Sequence, residues 1–316
     1  MSVKIGLITA GCLVGAGLLT TGITFAVFGF DPSKLSTTKY VTNTYNVDGK
    51  FSNINIEGDT EDIIFEKASD GVCKVVCKEE DDRPHIVTVE GDTLSITREK
   101  KLIWSFGINF ESPKMTVYLP EDAYGDIKVD SDTGDLDIPA GFSFDKMAVR
   151  TDTGDVKSYA KVAENINIST DTGDMELKDI TAAKLTLDSD TGRINITNAD
   201  IDGDIKIKED TGDVFLNKVI CLEFESKGDT SDLTLKDVLA TGGFNITRST
   251  GDVRFDACDA ASVYVKTSTG DVEGTFLTDK VYITDTHTGR VDVPKTSEGG
   301  RCEITTDTGD IKIKVG

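Results

Sequence analysis

The stretch VDSDTGDLDI, residues 129–138, decides the fold because it recurs along the chain. The sequences VRTDTGDVKS, ISTDTGDMEL, IKEDTGDVFL and ITTDTGDIKI follow it at later positions. Each copy places Thr-Gly-Asp between two short segments in which apolar and polar residues alternate. This alternation is typical of strands with one buried face, so the motif predicts a strand, a tight corner and a second strand.

The repeat has a nearly constant period. Thr precedes the corner position in every unit, and an apolar residue follows it two positions later in every unit. A third apolar position recurs seven or eight residues after the corner, from Phe142 to Leu277. The corner recurs every 19 or 20 residues in ten consecutive units, at Gly134, Gly154, Gly173, Gly192, Gly212, Ser231, Gly251, Gly270, Gly289 and Gly309.

Two arrangements fit this repeat: a series of antiparallel hairpins, or an all-β parallel β-solenoid (β-helix) in which each unit is one coil. The constant period favours the solenoid, because each coil must return to the same place one strand spacing further along. Three inward positions per unit predict a closed coil with a short third side. Stacked in chain order, ten coils at about 4.8 Å each would form a rod of about 48 Å.

The repeat also divides the chain into segments. Residues 126–316 are predicted to form the ten regular coils. The stretch INIEGDTEDIIF, residues 54–65, keeps the same columns with Glu61 in place of the corner glycine. We therefore interpret residues 46–125 as irregular N-terminal coils of the same solenoid. Residues 31–45 are rich in Ser and Thr without apolar periodicity, which is typical of a linker.

The N-terminal segment predicts a membrane anchor. Residues 5–30 contain no charged side chain, and a helix of that length would measure about 39 Å, enough to cross a hydrocarbon layer of about 30 Å. We interpret residues 1–30 as a transmembrane anchor. The alternatives are a cleaved signal peptide and a lipoprotein signal at Cys12, but the run is long and lacks an Ala-x-Ala-like cleavage site. Lysines flank both sides of the run, so charge does not define the orientation.

Composition excludes some classes of partner. The chain of 316 residues has a formal net charge of −22, which argues against nucleic acid and against anionic lipid headgroups as ligands of the soluble part. Aromatic residues make up only 7%, so an aliphatic core is expected. The chain has six cysteines, no Cys-x-x-Cys and two histidines. These features predict neither a zinc site nor a disulfide framework.

The corner has a structural and a functional interpretation. In the structural one, glycine supplies a positive φ, and the Asp and Thr before it accept hydrogen bonds from the turn. In the functional one, the position after the glycine matters, because it is Asp in eight units and Arg193 or Arg290 in two. Stacked carboxylates about 5 Å apart repel, and Ca²⁺ would neutralise them. Asp135, Asp155 and Asp174 are the candidate Ca²⁺ ligands, and no other cofactor is predicted.

The same motif also has a catalytic interpretation. Asp-Thr-Gly is the active-site triplet of aspartic proteases, but a protease needs two carboxylates that share a proton in a closed cleft. Ten copies along a rod do not form such a pair, so no catalytic residue is predicted. The leading hypothesis is a binding or scaffold module without catalytic activity. The alternatives are a polysaccharide-active β-helix enzyme and a membrane-tethered envelope-stress sensor or regulator.

The Thr-Gly-Asp corners, their period and their strand columns resemble a bacterial family called the putative adhesins, over residues 46–316. That family is a domain of unknown function built from β-solenoid coils. A membrane helix ahead of such a domain is similar to cell-envelope members from Gram-positive bacteria. The resemblance implies a single-pass protein of the cell membrane with its solenoid outside the cytoplasm. It implies a cell-wall polymer or an envelope protein as partner, and it contributes no catalytic residues.

Overall fold

The computed structural model describes residues 39–98 and 112–316, together with six isolated positions before residue 28. The predicted anchor, residues 1–30, therefore lies outside the described residues except for those positions. Within the described part of the chain, no helix is long and apolar enough to cross a membrane. The predicted linker, residues 31–45, is described from residue 39 onward, and its last six residues belong to the first strand.

The described residues are almost entirely β-structure. In chain order the strands are β1 (Tyr40–Asn46), β2 (Asn53–Glu57), β3 (Asp62–Lys67), β4 (Lys74–Glu80), β5 (His85–Glu90), β6 (Thr93–Arg98), β7 (Lys114–Leu119), β8 (Ala123–Thr133), β9 (Leu136–Ile138), β10 (Ser143–Thr153), β11 (Val156–Ser158), β12 (Lys161–Val162), β13 (Asn165–Thr172), β14 (Met175–Lys178), β15 (Thr181–Ala182), β16 (Lys184–Thr191), β17 (Ile194–Ile201), β18 (Ile205–Thr211), β19 (Val214–Cys221), β20 (Phe224–Thr230), β21 (Leu233–Thr250), β22 (Val253–Thr269), β23 (Val272–Phe276), β24 (Lys280–Thr288), β25 (Val291–Asp292), β26 (Gly300–Thr308) and β27 (Ile311–Val315).

The strands that precede a corner form one wall of a rod, and those that follow it form a second wall. The first wall pairs in parallel in the order β6, β2, β8, β10, β13, β16, β18, β20, β21, β22, β26, β24. The second wall pairs in parallel in the order β7, β3, β9, β11, β14, β17, β19, β21, β22, β23, β27, β25. The predicted parallel β-solenoid is confirmed. Eleven spacings of about 4.8 Å make each wall roughly 53 Å long.

Residues 54–65 form a coil of this rod, as their sequence predicted. Ile54 of β2 pairs with Ile127, and Ile63 of β3 pairs with Leu136. All four side chains are almost fully buried, because apolar residues in the same column meet when coils stack in register. Glu61 therefore occupies a corner position next to Gly134, and its different side chain has the consequences described below.

The coils do not stack in chain order at the C-terminal end, where our expectation was wrong. The last coil of the sequence, β26 with β27, lies between the coil of β22 and β23 and the coil of β24 and β25. Burial gives the physical reason. The inserted coil supplies four residues that are at most 2% exposed, namely Cys302, Ile304, Ile311 and Ile313. The displaced coil carries Thr284 in the equivalent column, and its Val291 is 45% exposed.

A similar exchange occurs at the N-terminal end. The coil of β2 and β3 lies between the coil of β6 and β7 and the coil of β8 and β9, so the outermost coil comes later in the sequence. Three antiparallel strands then cover that coil: β4 pairs with β7 and with β1, and β5 pairs with β6. We call β1, β4 and β5 the N-terminal cap. At the other end, β24 and β25 pair on one side only within the described residues.

The core is a continuous cluster of mostly aliphatic side chains, with some phenylalanines, between the walls and the short third side. The predicted third inward column is buried at Phe142, Val162, Ile180, Ala199, Val219, Val238 and Cys258. The prediction was wrong for Leu277, which is 47% exposed. The register of β22 against β23 shifts between Phe255 and Cys258, so Phe276 pairs with Cys258 and takes the inward place.

The cysteines contribute to this core as small apolar residues. The described ones, Cys73, Cys77, Cys221, Cys258 and Cys302, are all free and all buried. The expectation that disulfides do not organise the fold is confirmed for these five. Burial raises the pKa of the Cys73 thiol to about 11, so this thiol is neutral at physiological pH.

Candidate functional site

The corner glycines are required by two independent features of the backbone. In eight units φ lies between 120° and 153°, a region that disfavours side chains. In addition, the carbonyl oxygen of the previous coil occupies the place of a side chain. A Cβ on Gly173 would lie 2.0 Å from the oxygen of Gly154, and one on Gly154 would lie 2.0 Å from the oxygen of Gly134. At these positive-φ corners only glycine lets the coils approach to one strand spacing, whereas Ser231 and Glu61 occupy equivalent corners without a positive φ.

The aspartate after each glycine joins its coil to the next. Asp135 Oδ1 accepts a hydrogen bond from the backbone N–H of Asp155 (2.9 Å), and Asp155 Oδ1 accepts one from the N–H of Asp174 (2.9 Å). In the same way, Asp252 Oδ1 accepts a hydrogen bond from the backbone N–H of Asp271 (2.9 Å). We call these stacked positions the aspartate column. We expected the Asp and Thr before the glycine to accept the turn's hydrogen bonds, but the structure gives that role to the Asp after it.

Two arginines end the runs of this column. Arg193 donates its backbone N–H to Asp174 Oδ1 (2.8 Å) and its guanidinium to Asp174 Oδ2 (2.7 Å). Arg290 makes the same pair of bonds to Asp310, at 2.8 and 3.1 Å. Burial opposes the shift at Asp174, but the bonds from Arg193 lower the pKa of that carboxyl. The bonds from Arg290 lower the pKa of Asp310 in the same way.

These hydrogen bonds involve the same carboxylates that the sequence predicts as Ca²⁺ ligands. Asp135, Asp155 and Asp174 each commit one oxygen to a backbone N–H, which stabilises the stack of carboxylates without an ion. The second oxygen of Asp174 accepts from the Arg193 guanidinium, so in the described part of the chain only Asp135 and Asp155 keep a second oxygen without such a partner. The binding of Ca²⁺ by these three residues therefore stays a prediction, and the hydrogen bonds alone explain why Asp suits this position.

A polar column inside the rod, three residues before the corner, was not singled out from the sequence. It contains buried hydroxyls at Ser131, Thr151, Thr170, Ser189, Thr267 and Thr306. Thr306 Oγ1 donates to the carbonyl of Gly270 in the neighbouring coil (3.1 Å), and Thr286 Oγ1 donates to that of Gly309 (2.9 Å). At these C-terminal coils the column brings side-chain donors to corner carbonyls, whereas Thr151 Oγ1, Thr170 Oγ1 and Ser189 Oγ have no hydrogen-bond partner among the described residues.

Three units break this column with residues of a different kind. Glu209 and Arg248 lie in it two coils apart, 1% and 2% exposed, and Gly228 lies between them. Arg248 donates to Ser226 Oγ (2.7 Å) and to the carbonyl of Thr247 (3.0 Å). Within the described residues, neither carboxylate oxygen of Glu209 has a hydrogen-bond partner. Loss of hydration raises the pKa of Glu209 to about 7 and lowers the pKa of Arg248 to about 10.

The corner of residues 58–61 faces a second buried cluster, formed with the N-terminal cap. His85 Nε2 lies 2.6 Å from Glu61 Oε1, and His85 Nδ1 contacts Glu79 Oε2. Arg98 Nη1 lies 3.7 Å from Glu61 Oε2. Glu61, Glu79 and His85 are at most 4% exposed. We call Glu61, Glu79, His85 and Arg98 the ion network.

The neighbours of Glu79 complete the network. Glu79 Oε1 accepts from Asn43 Nδ2 (2.6 Å) and from the Tyr45 hydroxyl (2.5 Å), both on β1. Glu79 Oε2 accepts from the backbone N–H of His85 (2.7 Å). A single carboxylate thus connects β1, β4 and β5, the three strands of the N-terminal cap.

The charges of the network sustain one another. Burial alone would lower the pKa of His85, but the hydrogen bond and charge of Glu61, with the bond to Glu79, raise it. Burial would likewise raise the pKa of Glu61, but the bond and charge of His85 lower it. Glu79 also has a lowered pKa, because hydrogen bonds from Tyr45, Asn43 and His85 outweigh its burial. An imidazolium between two carboxylates is the form that these contacts favour.

Sequence reasoning missed this cluster for a physical reason. Glu61 was noted only as a substitute for the corner glycine, and His85 lies outside the periodic units. The alternation in β4 was a usable signal, because Val75, Cys77 and Glu79 occupy every second position and all face the core. A carboxylate in an apolar column requires a buried partner, which the sequence could have prompted us to seek.

The chain is similar in sequence to one described protein family. The family model described as Toastrack DUF4097 matches residues 51–218 and 199–316. Because these matches span most of the chain, the chain belongs to the Toastrack DUF4097 family. No curated protein matches its sequence.

Solved structures with similar folds carry descriptions of adhesion or lipid binding. A putative adhesin from Parabacteroides distasonis ATCC 8503 has a TM-score of 0.50 and 16% identity, over 75% of this chain and 98% of that one. A putative adhesin from Bacteroides fragilis NCTC 9343 has a TM-score of 0.40 and 15% identity, over 87% and 97%. A putative lipid binding protein from Parabacteroides distasonis ATCC 8503 has a TM-score of 0.48 and 15% identity, over 88% and 98%. At these identities the first likeness supports the fold alone.

Proposed function

We propose that this protein is a single-pass, membrane-anchored component of the cell envelope whose solenoid lies outside the cytoplasm. It acts there as a rigid binding or scaffold rod without catalytic activity, with a cell-wall polymer or an envelope protein as its partner. The observation that carries the rod in this proposal is the continuous parallel pairing of both walls, from β6 to β24 and from β7 to β25. Such a rod presents long flat faces and resists bending.

The short connections between strands support the non-catalytic part of the proposal. From residue 123 to residue 292, the longest connection, residues 139–142, has four residues. β-Helix enzymes that act on polysaccharides build their substrate groove from longer loops, whereas short connections leave the faces of this rod flat. Flat, repeated faces suit an extended partner that contacts several coils at once.

Membrane topology is the first thing to test, and the buried cysteines make labelling selective. The described native thiols are at most 6% exposed, so a membrane-impermeant maleimide would report an engineered exposed cysteine. Ser297→Cys lies in the exposed loop between β25 and β26. We expect this variant to be labelled in intact cells. Labelling only after lysis would contradict the extracytoplasmic placement and favour the sensor alternative.

Ser2→Cys provides the matched control on the other side of the predicted anchor. An uncleaved single-pass anchor predicts the opposite behaviour, with labelling of this site only after lysis. The unmodified chain measures the background from native cysteines. Loss of the Ser2→Cys site from the mature protein would contradict the anchor and indicate a cleaved signal peptide.

Binding and catalysis can be separated in one assay with purified cell walls. We expect the full chain in detergent micelles to sediment with the walls while the amount of soluble sugar stays constant. Release of new reducing ends from the polymer would contradict the non-catalytic proposal and favour the polysaccharide-active alternative. Failure to sediment would remove the cell-wall polymer as partner and leave an envelope protein.

A further inference from the structure

The N-terminal cap holds a group of side chains whose chemistry goes beyond a structural ion network. We propose that Cys77, Glu79 and His85 form a binding site for one zinc-like transition-metal ion. Their ligand atoms, the Cys77 Sγ, a Glu79 carboxylate oxygen and a ring nitrogen of His85, all lie within 4.8 Å of one another. Among the described residues, no other group of three such side chains meets this distance. The proposal is independent of the function proposed above.

Local structure explains how these residues converge. Cys77 and Glu79 are two positions apart on β4, so their side chains lie on the same face of the strand. A tight turn follows, in which the N–H of Arg83 donates to the carbonyl of Glu80 (3.0 Å). β5 then begins at His85, whose backbone N–H donates to Glu79 Oε2. All three residues are buried, with exposures of 0%, 0% and 4%.

Glu61 supplies the support that a metal-binding histidine needs. Its Oε1 lies 2.6 Å from His85 Nε2, so it accepts the Nε2–H and leaves Nδ1 directed at Glu79. A carboxylate on the far nitrogen fixes the orientation of the ring and makes the other nitrogen a better ligand. Glu61 is therefore a positioning residue in this proposal, and Arg98 Nη1, 3.7 Å from its Oε2, balances its charge.

Metal binding would leave the net charge of this buried site unchanged. In the metal-free chain the three side chains comprise a carboxylate, an imidazolium and a neutral thiol, and their charges sum to zero. A divalent ion replaces two protons, one from His85 Nδ1 and one from the Cys77 thiol. The product contains the ion, a carboxylate, a thiolate and a neutral imidazole, again with zero net charge. A buried site tolerates this exchange because neither state leaves an unpaired charge.

The ligand types select the class of ion. Thiolate and imidazole are the ligands that zinc prefers, whereas Ca²⁺ and Mg²⁺ prefer oxygen ligands alone. Burial and the charges of Glu79 and Glu61 raise the pKa of the Cys77 thiol, so without an ion it stays protonated. The ion would tie β4 to β5 and, through His85 and Glu61, to the first corner of the rod. The predicted consequence is a cap that is more firmly attached when metal is bound.

Cobalt titration of the full chain tests the site directly. After treatment with chelator, the protein is refolded from denaturant with Co²⁺ present, so that access to the buried site does not limit binding. We expect one equivalent to bind with a thiolate-to-cobalt charge-transfer absorption, and Zn²⁺ to abolish that absorption. In weak buffer, about two protons should appear per ion bound. Absence of the charge-transfer band in the native chain at one equivalent of Co²⁺ overturns the proposal.

Three variants test which thiol binds the ion and whether Glu61 supports the site. Cys77→Ser should lose the charge-transfer band, while the matched control Cys73→Ser, a second buried thiol four residues earlier, should keep it. Glu61→Gln should keep the band but weaken binding by about 10- to 100-fold, the usual effect of losing a supporting carboxylate. Circular dichroism confirms that each variant is folded. An unchanged band in Cys77→Ser, or loss of the band in Cys73→Ser only, would assign the ion to another thiol and overturn the site.

Discussion

In the regular coils between residues 123 and 276, each corner repeats the same few contacts, whereas the N-terminal cap depends on a single set of charged side chains. The middle of the rod uses glycine packing, the aspartate column and apolar columns in nearly every unit, with Ser231 and Arg193 as the exceptions at the corners. The cap uses one carboxylate, Glu79, to join three strands. Stability in the middle is therefore shared among neighbouring coils, and stability in the cap is concentrated in a few residues.

The contrast teaches how a solenoid ends. A regular coil needs no special partner, because the next coil satisfies its backbone and covers its core. The outermost coil at the N-terminal end is covered by antiparallel strands, and their attachment requires contacts that the repeat does not provide. The four predictions below test this division, from the largest expected effect to the smallest.

Glycine substitutions should separate the two regions most clearly. Gly173→Ala would place a Cβ 2.0 Å from a backbone oxygen at φ 151°, so we expect a loss of about 4 kcal/mol or more in the free energy of unfolding. Gly71→Ala, next to the cap, has φ 70° but no atom within 4 Å of its Cβ, and should cost only about 1–2 kcal/mol. Urea denaturation measures both. Equal losses would show that coil spacing does not restrict Gly173.

The buried charges of the middle coils should behave unlike those of the cap. Arg248→Thr restores the regular residue of the polar column but removes a positive charge that lowers the pKa of buried Glu209, so we expect a loss of about 1–3 kcal/mol in the free energy of unfolding. The double variant Glu209→Thr with Arg248→Thr restores both positions and should be as stable as the native chain, or more so. A double variant no more stable than Arg248→Thr alone would mean that buried Glu209 is not the cause of the loss in Arg248→Thr.

The cap should have its own pH dependence. The pKa values of Glu61 and Glu79 are lowered from 4.5, so their contribution is complete above that pH and is lost as the pH falls through the lowered values. The pKa of His85 is raised from 6.5, so its contribution is complete below 6.5 and is lost as the pH rises through the raised value. The cap is thus most stable between these limits.

Amide hydrogen exchange can follow this dependence strand by strand. Protection factors of β4 and β5 should be highest between pH 4.5 and 6.5 and should fall as the pH moves beyond that window in either direction. Glu61→Gln should flatten the profile of the cap and leave the profile of β13 and β16 unchanged. An equal response in the middle coils would locate the titrating groups elsewhere.

Substitutions in the aspartate column should have the smallest effect on the free energy of unfolding, because each of its hydrogen bonds is one of many equivalent bonds. Asp155→Ala removes the acceptor of one backbone N–H, with an expected loss of about 1 kcal/mol. Asp152→Ala, an exposed residue of the same corner, should change stability by less than about 0.5 kcal/mol. Thermal unfolding measures both losses. A second thermal series with millimolar Ca²⁺ tests the cation prediction for Asp135, Asp155 and Asp174. A melting temperature unaffected by Ca²⁺ and by chelator would contradict it.

The sequence was sufficient to predict the solenoid because one column of identical residues maps onto one line of contacts. It was insufficient to predict the order of coils at the ends, since residues 280–292 and 300–313 carry the same pattern and either could follow β23. Only the relative burial of their apolar residues distinguishes them. The ion network depends on antiparallel strands that do not belong to the repeat. The sequence pattern therefore does not indicate that Glu61 and His85 are in contact.

The insertion of the last coil has a consequence for protein synthesis. Residues 280–292 leave the ribosome before residues 300–315, yet their neighbour in the finished rod is the later segment. The stack therefore cannot be completed in the order of translation, because the native neighbour of β22 and β23 is the later segment, residues 300–315. A chain that ended before residue 300 would leave the face of β22 and β23 without that native neighbour.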